Sequence, residues 1–425
     1  MLNCGYVPLQ TIDLFHDKLW ICATINGWFS CSKQDAMMIT RTAKEALIRL
    51  AKQFPVVGVT GPRQSGKSTL VQSVFPEKRY ITFDDRDMRR LAASDPGDFI
   101  KAFPDGAIID EAQKVPDIFD ALKIVADSGK AKAGAYILTG SGQFRLKKNM
   151  SDSLAGRGAF LELLPFSVDE LNDHGILPED PYDLILKGCY PPLHDPVKSF
   201  DPDDWFTNYI DTYLSRDVEE EINVSNRSTF RKFIQVCAVH SGQLLSMDKI
   251  ARDVGISATT VKSWLSILES SYLIHFLEAD TNTLGKTLLK TPKLYFVDTG
   301  LLCHLLRLES KEELLLDRMK GAVVETFAIS ELLKNRTNAG KKGNLTYFRD
   351  RKGFEIDTLA DWKHTRAIEI KSGSRADDRL SANIRKYLDL LNNPKAKGAV
   401  FYLGDHTMKI NGIDYVSWRD WGHYS

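Results

Sequence analysis

A chain of 425 residues is long enough for two or three domains. Apolar residues make up 43% and charged residues 26%, and Lys plus Arg equals Asp plus Glu at 56 each. That balance excludes a polybasic or polyacidic chain and leaves local patches open.

No stretch approaches the ~18 apolar residues of a membrane span. The N-terminus lacks the basic flank and apolar core of a secretory signal. The six cysteines (Cys4, Cys22, Cys31, Cys189, Cys237 and Cys303) form no C-x-x-C pair and have no histidine at zinc-finger spacing. They read as thiols in a reducing compartment. The expectation is a soluble cytoplasmic protein with no membrane partner.

Residues 1–37 carry Trp20, Cys22, Trp28 and Cys31 without a clear period. Met37 and Met38 then precede ITRTAKEALIRLAKQF, which reads as a helix. Two readings stand: an irregular arm, or a non-native extension ahead of a start at Met37 or Met38.

Residues 38–165 alternate strand and helix. The apolar runs VVGVT (56–60), YITF (80–83), AIID (107–110), AYILT (135–139) and AFLEL (159–163) suit strands buried on both faces. Helical stretches between them imply a parallel sheet covered on both sides. Residues 166–225 read as a helical connector rich in aromatics. Within 226–310, SMDKIARDVGISATTVKSWLSILESSYLI spells a helix, a tight turn and a second helix, with LIHFLEA and KLYFVD following as a wing would. Residues 311–425 run helix (GAVVETFAISELLKN), three strands (LTYFR, FEIDTLA, AIEIK), helix (RLSANIRKYLDLLNN) and a last strand (GAVFYL). The fold class expected is α/β throughout: a parallel sheet, a winged-helix-like domain and a second α/β domain.

GPRQSGKST fits G-x-x-x-x-G-K-[ST] between a strand and a helix, the context a phosphate loop needs. Gly61 and Gly66 let the backbone close on an anion. After Pro62, the amides of Arg63, Gln64 and Ser65 lead to a helix N-terminus that attracts phosphate. Lys67 reaches the β- and γ-phosphates, Ser68 offers a hydroxyl to Mg²⁺, and Thr69 follows in the first turn. In AIIDEAQ, Asp110 ends a strand where it can approach the Mg²⁺ shell, and Glu111 can polarise the attacking water. The plain alternative is two carboxylates at a strand end. In YILTGSGQF, Thr139 and Ser141 are placed to sense the γ-phosphate or orient water, and a Gly/Ser turn is the alternative.

Together GPRQSGKST, IIDEAQ, ILTGSGQF, SLAGRGAFLELLPFS, TYLSRDV, YFVDTGL and EIDTLA…IEIKSG resemble AAA-type ATPases, specifically a prokaryotic family pairing such an ATPase with an uncharacterised C-terminal half. The resemblance implies ATP and Mg²⁺ as cofactors and a sensor strand between the phosphate-loop and Asp-Glu strands. It makes Arg157 the candidate arginine finger, acting in its own or a neighbouring subunit of a homo-oligomer; a surface or interface ion pair is the alternative. Arg63 and Arg216 are weaker candidates, and no lid-domain sensor arginine is evident.

In the C-terminal strands, alternation sends Ile368 and Ile370 inward, and Glu369 and Lys371 the other way. By the same rule Phe354 and Ile356 are buried, and Glu355 and Asp357 exposed. Asp357 and Glu369 can then share one Mg²⁺, with Glu325 completing the shell and Lys371 positioning a water. This resembles restriction-endonuclease-like nucleases, whose signature is a carboxylate followed by Glu-x-Lys. An amphipathic strand spells the same letters, so an active nuclease and a decayed one used for binding both stand. From residue 315 onward 20 Lys and Arg face 14 Asp and Glu. Lys334, Arg336, Lys341, Lys342, Arg349, Arg351 and Lys352 make a candidate rim for nucleic acid. In the helix-turn-helix, Ser257, Thr259, Thr260, Lys262 and Ser263 would face DNA. Only one of them is basic, which favours a structural or partner-binding role.

Overall fold

The computed structural model describes residues 39–129, 131–140, 143–214, 227–281 and 289–424, with the backbone of 20–24 and 27–31. It divides into two units, Met1–Thr40 and Arg41–Ser425. In the first, strands β1 (Trp20–Thr24) and β2 (Gly27–Cys31) pair antiparallel, Trp20 opposite Cys31. The remainder of 1–37 lies outside the described residues.

The second unit opens with helix α1 (Ala43–Ala51) and a five-stranded parallel sheet. Its strands are β3 (Val56–Thr60), β4 (Arg79–Thr82), β5 (Ala107–Asp110), β6 (Tyr136–Thr139) and β7 (Gly158–Glu162), in the order β4-β5-β6-β3-β7. The expected sensor strand, β6, therefore lies between β3 and β5. Every residue of β3 and β6 is buried. One apolar cluster on each face explains why these strands read as continuous apolar runs. Helix α2 (Lys67–Val74) follows β3 after the loop 61–66, and helix α3 (Gln143–Ser153) precedes β7.

The connector's short helices begin where the sequence supplies caps. Ser167 and Glu170 form a reciprocal capping box, and Asp180 and Asp201 each cap a helix with proline in its first turn. Helices α4 (Met247–Val254) and α5 (Ala258–Ser270) form the helix-turn-helix, the second capped by Ser257.

A nine-stranded sheet follows, ordered β15-β16-β14-β13-β12-β11-β9-β10-β8. Its strands are β8 (Gln243–Leu244), β9 (Ile274–Ala279), β10 (Lys293–Phe296), β11 (Leu345–Arg349), β12 (Glu355–Asp361), β13 (Thr365–Lys371), β14 (Lys397–Tyr402), β15 (Met408–Ile410) and β16 (Ile413–Ser417). The strands read as a wing, β9 and β10, are not set apart: β9 pairs in parallel with β11, Thr346 opposite Glu278. Helix α6 (Lys320–Asn338) precedes β11, and α7 (Ala382–Leu391) precedes β14. GAVFYL is not the last strand, since β15 and β16 follow it as an edge hairpin. Their turn, Asn411-Gly412, has φ of 47° and 86°, the two left-handed residues that a tight hairpin requires. Among the described residues, no helix is long and apolar enough to cross a membrane.

Candidate nucleotide and carboxylate sites

The loop 61–66 closes tightly between β3 and α2. Gly61 has φ of 148°, and a Cβ there would stand 1.9 Å from the Leu163 carbonyl oxygen, so a side chain is sterically barred. Lys67 is 8% exposed, and its Nζ donates to the Gly61 and Pro62 carbonyls at 2.8 Å each. Ser65 is fully buried, and its Oγ has no hydrogen-bond partner. Gln64 adopts φ of 61° at the crown beside half-buried Arg63, and Thr69 is exposed on α2.

A residue the sequence reading passed over, Arg41, holds this loop from behind. Its guanidinium donates to the Ser65 carbonyl (2.7 Å), the Leu164 carbonyl (2.7 Å) and Glu170 Oε1 (3.0 Å), and lies over the Phe166 ring. Arg41 and Glu170 are both buried, so the fork geometry of arginine is fully used. No motif marks Arg41, because its partners, two backbone carbonyls and the Glu170 carboxylate, lie 24, 123 and 129 residues along the chain.

Asp110 is the hub beside the loop. Its Oδ2 accepts from Ser68 Oγ (3.2 Å) and from the Tyr80 hydroxyl (2.5 Å), and its Oδ1 accepts from Thr139 Oγ1. Burial, followed by the Asp110 carboxylate, pushes the Tyr80 hydroxyl above its ordinary pKa. Glu111 adopts φ of 55°, a left-handed backbone uncommon outside glycine, and its Oε2 accepts from Gln113 Nε2 at 2.5 Å. Ser68, Asp110 and Thr139 are thus brought together. Ser141 and Arg216 lie outside the described residues.

Arg157 is not brought to this loop. It precedes β7, whose Gly158 is in register with Val56 at the far end of β3 from Gly61. The span of β3 is about 13 Å at ~3.3 Å per residue. Arg157 instead pairs with Asp127. The parallel register thus rules out the own-subunit arginine finger in this arrangement.

The C-terminal carboxylates line a cavity of about 540 Å³. Glu325 comes from α6, Glu355 and Asp357 from β12, and Glu369 and Lys371 from β13. Alternation holds from Glu355 through Asp357, which share the cavity as expected, and fails at Thr358 and Leu359, both buried. Leu359 pairs near Thr346 and Ile356 near Phe348, so residues 357 and 358 oppose Tyr347 alone in a bulge. Beyond the last β12–β13 pair, Thr358 with Ile368, the strands diverge, and Asp357 Oδ2 accepts from the Ile370 amide at 2.8 Å. Glu369, expected on an outward face, is only 3% exposed. Ala367, two residues before it on the same face, packs with Ile384 and Tyr387 of α7, so that helix covers the polar side.

Lys293 of β10, also passed over, enters this cavity and pairs with Glu325 (3.1 Å) and Glu355 (2.5 Å). Tyr295 donates to the same Glu325 oxygen, and Arg349 pairs with Glu355 at 3.0 Å. Lys371 pairs with Glu369 at 2.5 Å. Burial and then the Asp357 charge push both Glu325 and Glu369 up to about 7, and burial likewise raises Asp357. Burial acts to lower the Lys293 pKa, but Glu325 and Glu355 together lift it above the usual lysine value. Among the described residues, no three His, Cys, Asp or Glu side chains are arranged to hold a metal ion. The expected shell of Glu325, Asp357 and Glu369 is therefore a shared cavity and not a formed coordination set.

Three family models match in succession. They are an AAA domain over residues 53–172, a domain of unknown function (DUF8612) over 178–312 and a domain of unknown function (DUF4143) over 320–421. With the parallel sheet and the Lys67 loop, they define a mixed α/β protein built on an AAA-type domain. Two mycobacterial proteins, uncharacterized protein Mb2031c of Mycobacterium bovis and uncharacterized protein Rv2008c of Mycobacterium tuberculosis, are each 30% identical over 380 residues, covering 88% of this chain and 82% of theirs. The chain belongs to the family of these two proteins. Among solved structures, the Walker-type ATPase PABY2304 of Pyrococcus abyssi is 15% identical, covering 64% of this chain and 97% of that one, at a TM-score of 0.42. AMPPCP-bound DnaA of Aquifex aeolicus is 15% identical over 53% and 85%, at 0.28. At those scores the likeness carries no argument.

Proposed function

We propose that the chain binds and hydrolyses ATP at the Lys67 loop and that turnover moves C-terminal modules which bind, and cut, nucleic acid. The observation that carries the first half is Asp110 joined to both Ser68 and Thr139 beside the loop. The AAA domain match supports the same reading. The residues fit a Mg²⁺ nucleotide: the Ser68 hydroxyl and Asp110 would hold the ion, which when bound neutralises phosphate charge. Lys67 must leave the Gly61 and Pro62 carbonyls to meet a phosphate, and the orphaned Ser65 hydroxyl gains a partner if one arrives. Glu111, the residue after Asp110 and already oriented by Gln113, is the base for water. Arg157 is left with a neighbouring subunit's nucleotide as its only target.

Calorimetry on nucleotide-free protein tests the reading. Wild type takes up ATP with Mg²⁺, Lys67→Ala does not, and Glu111→Gln binds but turns over slowly. Undiminished turnover in Lys67→Ala rejects the site.

A second reading, an ATP-controlled binding protein with an inactive nuclease-like cavity, is favoured by one observation. Lys293 and Lys371 already neutralise Glu325, Glu355 and Glu369. A Mg²⁺-dependent cleavage assay on DNA and RNA, with Asp357→Ala and Lys371→Ala alongside wild type, separates the two. Cleavage lost in both variants supports the nuclease; binding without cleavage supports the second reading.

A further inference from the structure

Helix α5 ends in a way that local chemistry disfavours. The Leu273 amide bonds the Leu268 carbonyl and the Tyr272 amide bonds the Glu269 carbonyl, at 3.0 and 2.9 Å. These two bonds close a helix with one left-handed residue, a position usually given to glycine. Helix α4 uses Gly255 for its own left-handed end. Helix α5 has Tyr272 there, at φ of 56°. A bulky residue in this region is an outlier, and such outliers persist where the surroundings over-determine them.

The side chain shows what holds it. The Tyr272 hydroxyl lies 2.9 Å from Thr60 Oγ1 and donates to Glu162 Oε1 at 3.0 Å. Lys147 of α3 bonds the same Glu162 oxygen at 2.6 Å and stands 4.7 Å above the Tyr272 ring. One tyrosine from the segment 178–312 therefore touches three elements of the AAA-type domain: the end of β3, the end of β7 and α3. Thr60 is fully buried and is the residue immediately before Gly61, whose carbonyl holds Lys67. On its other side Tyr272 leads within two residues into β9, which pairs with β10. There Lys293 and Tyr295 hold Glu325.

We infer that Tyr272, which lies outside the nucleotide site, couples occupancy of the 61–69 loop to the β9–β10 pair. The inference rests on the ATP reading above. When Lys67 turns from the Gly61 and Pro62 carbonyls toward a phosphate, the loop's first residues lose that tether. Thr60 then transmits the change to the hydroxyl that bridges it to Glu162. The strained backbone at Tyr272 is the element with two arrangements, held in one by those hydrogen bonds.

Hydrogen exchange on the full chain, with and without a non-hydrolysable ATP analogue and Mg²⁺, tests this, with calorimetry on the same samples. In wild type the analogue changes exchange at 273–279 and 293–297 by about fivefold or more, the low end of ordinary coupling. Tyr272→Phe, which loses one oxygen and no packing, binds the analogue within about tenfold of wild type, since the hydroxyl touches no ligand. In that variant the exchange change at both strands disappears. Thr60→Val, removing the other end of the bond, gives the same loss. An equal change in wild type and Tyr272→Phe overturns the inference, as does analogue binding in wild type with no change at these strands. Absence of binding heat in wild type defeats the ATP reading itself and this inference with it.

Discussion

Glu325 and Glu369 show what burial does to a carboxylate at the scale of one residue. Each is raised from 4.5 to about 7, first by burial and then by the nearby Asp357 charge. The sign follows from proton counting. Between pH 4.5 and 7 the folded state binds more protons than the unfolded chain, so stability falls as pH rises through that window. Removing one such group should flatten the fall. Glu369→Gln keeps the shape of the side chain without the charge, so urea midpoints at pH 5 and pH 8 should differ less for it than for wild type. An equal or larger difference would show that Glu369 carries its charge without penalty. Divalent ions added at pH 8 should narrow the wild-type gap if the cavity accepts them, because a cation favours the same deprotonated form.

At the scale of elements, what was legible depended on how local the signal is. The strand–loop–helix around Gly61 to Thr69 announces itself, since each residue type answers a need of the adjacent backbone. β3 and β5 run where their apolar letters place them. Pairing partners in the nine-stranded sheet were not legible. Nothing in LIHFLEA says that its free edge takes a strand some 70 residues on, and the wing and the C-terminal strands accordingly read as separate units. The bulge at residues 357 and 358 left a trace, because alternation breaks in the letters there, polar Asp357-Thr358 followed by apolar Leu359-Ala360, and it was passed over. The Asn-Gly pair at 411–412 was a usable signal for the final hairpin and was passed over. Tyr80, Arg41 and Lys293 join their sites from distant elements, so no motif includes them. The loop itself makes the firmest element-level prediction. Gly61→Ala drives a Cβ into the Leu163 carbonyl, a backbone atom that cannot rotate away. The expected result is loss of nucleotide binding by at least about 100-fold, with a destabilisation of roughly 2–4 kcal/mol. Calorimetry and denaturant unfolding check the two parts, and near-native binding would mean that the loop's glycine geometry is not required.

Across the unit Arg41–Ser425, one helix gathers bonds from every region. α6 is buried around its circumference, from Val323 and Val324 through Phe327, Ile329 and Leu332, with Ser330, Glu331 and Lys334 buried among them. Such a helix is a core element and not an amphipathic cover. Glu331 Oε2 accepts from the Val168 amide at 2.8 Å, and the Ala339 carbonyl just past the helix accepts from Arg49 at 2.8 Å, which ties α6 to the AAA-type domain. Ser330 bonds the Val297 carbonyl at 2.5 Å and Thr326 meets Ser241 at 3.1 Å, which ties it to the middle segment. Asn335 bonds the Gly422 carbonyl at the C-terminal end. The family boundaries at 172, 178, 312 and 320 therefore divide sequence matches without dividing the core. The Glu331–Lys334 pair sits at the centre of this junction, 2.7 Å apart with side chains 0% and 1% exposed. Removing the acid leaves a buried ammonium and an orphaned Val168 amide, whereas a surface pair would cost almost nothing. Glu331→Ala should lose about 3–5 kcal/mol. Calorimetric unfolding should show one transition for wild type and one, at lower temperature, for the variant, because the helix belongs to all three segments at once. A variant scan that splits into two transitions, with the AAA-type domain melting at its wild-type temperature, would mean that the segments fold independently and that α6 joins them only at their surfaces.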